Sequence, residues 1–157
     1  MSLRKLGPHG IRTTTAGLGW SRVAPIVKQL NETGLLAVAP PNATRIWRPY
    51  VADQRPDKPA SALFARCING LGGYRHPRLY VQPWCEFGRE HLASYIPQMK
   101  ATVTLLHQAG LKVCGPALGT GDYDDEHIAL LRANTWCGLD LQAWDCYWGP
   151  VGFTPWN

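Results

Sequence analysis

Short apolar segments alternate along this chain with amphipathic segments of about ten residues or more, and this alternation constrains the fold more than any other feature. Extended patterns fall at residues 5–11, 35–39, 44–47, 78–84, 111–115 and 139–147. Helical patterns fall at 20–32, 59–71, 89–109 and 124–133. Strands separated by helices of this length are joined by crossovers, which leave neighbouring strands parallel.

The helices rest on apolar periodicity. Val23, Ile26, Val27 and Leu30 share one helical face, and so do Leu92, Tyr95, Ile96, Met99, Val103 and Leu106. A stripe of this kind packs on a sheet. Gly34 and Gly110 each follow a helical pattern, where a left-handed residue is needed to end it, and each leads into the next strand. Pro97 inside the third helix predicts a kink or a late start.

The 157 residues make one domain, 1–157, with room for a core but fewer than the roughly 250 of a complete eight-stranded α/β barrel. The expected fold is therefore α/β, built of parallel, TIM-barrel-like βα units with about six strands, an incomplete or atypically closed barrel. An open barrel leaves two unpaired edges, a condition relieved by self-association, so a homo-oligomer is expected.

A hydrophobic content of 45% against 17% charged residues argues for a globular chain rather than disorder. The net charge of +5 is spread over basic residues that never run beyond two in a row, which disfavours a nucleic-acid partner. Seven Trp, six Tyr and three Phe suit a surface that stacks on sugars, although most single rings of this kind serve the core. Five cysteines, odd in number and without metal-binding spacing, predict reduced, mostly buried thiols, no metal and no cofactor. Neither a leader peptide nor an apolar run of about 20 residues is present, so a soluble, cytoplasmic protein with no membrane partner is expected.

In a parallel barrel the working residues follow the strands. His9 lies at the first strand, Arg48 and Tyr50 after the third, and Trp84, Cys85 and Glu86 after the fourth. Asp122 follows the glycine-rich run 115–121, and Asp145, Tyr147 and Trp148 follow the last strand. The glycine-rich run fits neither dinucleotide nor nucleoside-triphosphate loop spacing.

The order Arg-Leu-Tyr-Val-Gln-Pro-Trp-Cys-Glu-Phe-Gly, then Gly-Leu-Lys-Val-Cys-Gly-Pro-Ala-Leu-Gly-Thr-Gly, then Leu-Asp-Leu-Gln-Ala-Trp-Asp-Cys-Tyr-Trp-Gly, resembles the middle of a retaining (β/α)8 glycoside hydrolase of clan A. The resemblance implies Glu86 as general acid/base, protonating the leaving oxygen and later activating water. It places Tyr147 and Trp148 along a sugar subsite; His9, Trp84 and Cys85, by their place after barrel strands, are the further substrate-binding candidates. Cys85 stands where that family carries Asn, and Asp145 where it carries His. Retention requires a second carboxylate about 5–5.5 Å from the first, supplied in that family by a seventh strand. No seventh strand is read here, which leaves Asp122 and Asp145 as the candidates. Carbohydrate is the expected partner, with hydrolysis as the activity; a catalytically inactive partial barrel that binds sugar, or serves structure and self-association alone, is the alternative.

Overall fold

The computed structural model describes residues 11–12, 26–30, 33–49, 58–84, 91–116, 118–119, 125–141 and 144–145. Its strands are β1 (Ile11–Arg12), β2 (Ile26–Leu30), β3 (Thr44–Arg48), β4 (Leu79–Val81), β5 (Lys112–Val113), β6 (Leu118–Gly119) and β7 (Trp144–Asp145). Its helices are α1 (Gly34–Ala37), α2 (Ala60–Leu71), α3 (Leu92–Gln108) and α4 (Asp125–Ala133), followed by a 3₁₀ turn over Thr135–Gly138.

Every strand pairing among the described residues is parallel, as the alternation of the sequence requires. Five strands form one sheet in the order β1-β2-β3-β4-β5, and β6 pairs with β7. A bridge between Cys114 and Leu141 carries the pairing from β5 towards β6 and β7, with Gly115 N–H donating to Leu141 O at 2.7 Å.

The chain does not form a six-stranded barrel, incomplete or atypically closed. Among the described residues β1 pairs only with β2 and β7 only with β6, so the sheet stays open. Closure needs strands long enough to tilt and stagger by a consistent shear, and β1, β5, β6 and β7 are two residues each.

Two segments exchange their expected structures. Residues 26–30, read as part of a helix, form β2, paired with β3 from Ile26↔Thr44 to Leu30↔Arg48. Adjacent β-branched Ile26 and Val27 suit a strand flanked by partners on both sides, and tertiary pairing overrides the helical periodicity. Residues 35–39, read as a strand, contain the single turn α1, closed by Ala37 N–H to Thr33 O at 3.0 Å. A five-residue apolar run does not by itself distinguish the two states. Gly34 accordingly opens a helix instead of ending one.

The remaining helices match their patterns. All six apolar residues read onto the inner face of α3 are buried, and each such burial contributes about 1.5–3 kcal/mol. Pro97 lies exposed inside α3, which already begins at Leu92. Gly110, with φ +72°, ends it as expected, its N–H donating to His107 O at 2.9 Å. In α2, Leu63, Cys67 and Leu71 are buried. None of the helices described is long and apolar enough to cross a membrane.

Helices α2 and α3 pack against each other, and one core lies between them and the sheet. Trp47 of β3 is fully buried in that core. Its ring rests on α2 at Gly70, where an added Cβ would come within 2.7 Å of two ring carbons. Strand alternation then sends Trp47, Val81 and Val113, which are in register, to the helix side. Ile46, Tyr80 and Lys112 point the other way.

Gly70→Ala tests this contact. A helix-interior glycine normally gains up to about 1 kcal/mol on becoming Ala. Here the methyl group must displace a buried indole, so urea denaturation should show a net loss of about 1–3 kcal/mol. A stabilised variant would place Trp47 elsewhere.

Candidate functional site

In open parallel sheets ligands bind beyond the carboxyl ends of the strands, and a feature of that kind appears on the face opposite the helices. One step past the pair Trp47↔Val81 stand Arg48 and Gln82, and one step past Val81↔Val113 stand Gln82 and Cys114. The pairing continues through this row, since Gln82 N–H donates to Trp47 O and Cys114 N–H to Val81 O, both at 2.8 Å. Alternation turns Arg48, Gln82 and Cys114 away from the helices. Ile46 and Cys114 are buried on this face without joining the helix-side core.

Arg48 is 8% exposed and Gln82 fully buried. Three buried polar side-chain atoms lack a hydrogen-bond partner among the described residues, and two of them belong to this row: Arg48 Nη1 and Gln82 Oε1. The third, Thr102 Oγ1, is on α3. Gln82 is held in place by its own amide, whose Nε2 donates to Gly115 O at 2.8 Å. Because that carbonyl only accepts, the nitrogen must face it and the oxygen must face away. Among the described residues, the carboxyl end of the sheet therefore carries an oriented acceptor on the continuation of β4 and a donor without a partner on neighbouring β3. Each buried polar group without a partner costs about 1–3 kcal/mol, more if charged.

Trp84 belongs to the other side. Its ring is fully buried in the helix-side core, and its indole N–H donates to Gln98 Oε1 at 3.3 Å. Gln98 Nε2 in turn donates to Lys58 O at 2.9 Å, tying α3 to the segment before α2. Asp145 contributes backbone to β7, paired with Gly119. His9, Cys85, Glu86, Asp122, Tyr147 and Trp148 lie outside the described residues. The structure thus brings together Arg48 and Gln82, of which sequence reading noted the first only as a residue following a strand and the second not at all. The available signal was a long polar side chain directly after the apolar run Leu79-Tyr80-Val81.

The described cysteines Cys67, Cys114 and Cys137 are buried and form no disulfide. Burial pushes the Cys67 thiol from 9.0 up to about 12, and it raises Cys137 against the opposing pull of Lys100. Such thiols hold their protons at neutral pH and are poor nucleophiles.

At the amino end of the sheet a cleft of about 480 Å³ is lined by Arg75, His76, Pro77, Leu79, Gly110, Leu111 and Lys112. Its cations already have partners: Arg75 Nη1 donates to Tyr74 O at 2.8 Å and Lys112 Nζ to Pro77 O at 2.9 Å. Nearby Asp140 accepts from Val113 N–H at 2.7 Å and lies 2.8 Å from His107 Nε2, an arrangement that fastens α3 to β5. This end of the sheet is built for structure.

Compared with protein-family models, curated proteins and solved structures, the chain matches none.

Arg48→Met provides a check on the unanswered donor. Replacing a buried guanidinium whose Nη1 has no partner among the described residues by an apolar chain of similar length should stabilise the protein by about 1–3 kcal/mol in urea titration. A loss of stability would mean that the guanidinium is satisfied within the fold.

Proposed function

We propose that this protein binds carbohydrate at the carboxyl edge of its parallel sheet. The observation that carries the reading is the buried pair of Arg48 Nη1 and Gln82 Oε1, a donor and an acceptor on neighbouring strands with no partner among the described residues. A hydroxyl group accepts from one and donates to the other, and a sugar presents hydroxyls in fixed, closely spaced array. The aromatic and acidic residues of the motifs follow in the sequence, with Glu86 four residues beyond Gln82 and Tyr147 and Trp148 just beyond Asp145.

The resemblance to retaining glycoside hydrolases adds a chemical step to this reading. Glu86 would give its proton to the glycosidic oxygen as the bond from that oxygen to the anomeric carbon breaks. A carboxylate of Asp122 or Asp145 would take the anomeric carbon, and water activated by Glu86 would then release it.

Binding and cleavage separate in one set of titrations of the full chain against a panel of oligosaccharides. The wild type should bind at least one class, and Gln82→Met should weaken it about tenfold, or about 1.4 kcal/mol. Glu86→Gln should keep the affinity and release no reducing ends. Absence of binding across the panel, or unchanged affinity in Gln82→Met, removes the carbohydrate site; unchanged cleavage in Glu86→Gln removes Glu86 from the chemistry.

A further inference from the structure

Two arginines three residues apart on β3 are buried, and the fold treats them in opposite ways. Arg45, 3% exposed, lies on the helix side of the strand. Four of the five N–H groups of its guanidinium donate to carbonyls: Nε to Leu36 O at 3.0 Å, Nη1 to Ala43 O at 2.8 Å, and Nη2 to Ala39 O and Pro40 O at 2.9 and 3.0 Å. Arg48, on the opposite face at the carboxyl end, keeps Nη1 without a partner among the described residues. Of the described acidic side chains, Glu126 is exposed on α4, and Asp140 is engaged by Val113 N–H of β5 and by His107. Neither answers Arg48.

A buried guanidinium calls for a negative charge as well as a hydrogen-bond acceptor, because desolvation without a counter-charge is costly. Gln82 narrows the demand. Its Nε2 is fixed on Gly115 O, so Oε1 can only accept; it repels a second anionic oxygen and welcomes a hydroxyl. The complement of the pair is an anionic oxygen next to a hydroxyl on one rigid frame. Resting on the carbohydrate-binding reading, we propose that the ligand is an acidic sugar of the hexuronate class. Its carboxylate accepts from Arg48 Nη1, and a neighbouring ring hydroxyl donates to Gln82 Oε1.

The test is calorimetric titration of the full chain, at physiological salt, with uronate oligosaccharides and with the same oligosaccharides after reduction of their carboxylates to neutral alcohols. The wild type should bind an acidic member at least tenfold more tightly than its neutral counterpart. Arg48→Gln should abolish that preference, and Arg48→Lys should keep part of it because the charge remains. Gln82→Met should weaken the acidic and neutral forms alike. Thermal melts of each variant confirm that it is folded. Equal affinity of the wild type for acidic and neutral forms, or a preference that survives in folded Arg48→Gln, overturns the acidic-sugar assignment and leaves carbohydrate binding standing. Binding of neither form overturns both.

Discussion

The side-chain alternation of β3 between two parallel neighbours is the constraint on which the rest of the structure depends. With β2 on one side and β4 on the other, the register of this strand decides which side chains meet the helices and which meet the opposite face. Trp47 against Gly70 settles the choice, because the indole fits α2 only where no Cβ intervenes. Arg45 then turns towards α1 and its carbonyls, and Arg48 turns towards the other face. A slip by one residue would exchange the faces of the two arginines and bring the indole out of the core.

How much of this was legible in the sequence depended on whether local pattern or distant pairing decides a segment. The apolar stripe of α3 repeats over four turns and nothing competes with it, so it reads correctly from Leu92 to Leu106. Parallel strands and the turn at Gly110 were legible for the same reason. Residues 26–30 and 35–39 were not: Ile26, Val27 and Leu30 fit a helical face as well as a strand, and the outcome rests on pairing with β3, whereas 35–39 is an apolar run that satisfies both periods. Closure failed as an inference because it is a property of strand length and stagger, which alternation alone does not encode. At the site, the motifs drew attention to residues 84–86, yet Trp84 packs under α3. The polar residues that matter geometrically, Arg48 and Gln82, become neighbours only once register is known.

The two ends of the sheet treat their polar groups differently. The amino end fastens its polar groups: Lys112 bonds Pro77, and nearby Asp140 bonds Val113 and His107. Among the described residues, the carboxyl end leaves a donor and an acceptor unanswered where they are most costly. Functional sites characteristically depart from the local rules that the remainder of a fold obeys. The buried thiols, held protonated, offer no competing chemistry among the described residues.

The most direct measurement is side-chain NMR of the labelled arginines and glutamines with and without an acidic oligosaccharide. The Arg45 guanidinium protons and the Gln82 amide protons should be protected from exchange in both states by their carbonyl partners. Those of Arg48, whose Nη1 is buried without a partner among the described residues, should lack the downfield shift of a hydrogen-bonded guanidinium in the unliganded protein and acquire it when the ligand is added. A downfield-shifted Arg48 before any ligand is present, or no change when it binds, would contradict a site built on an open donor and acceptor.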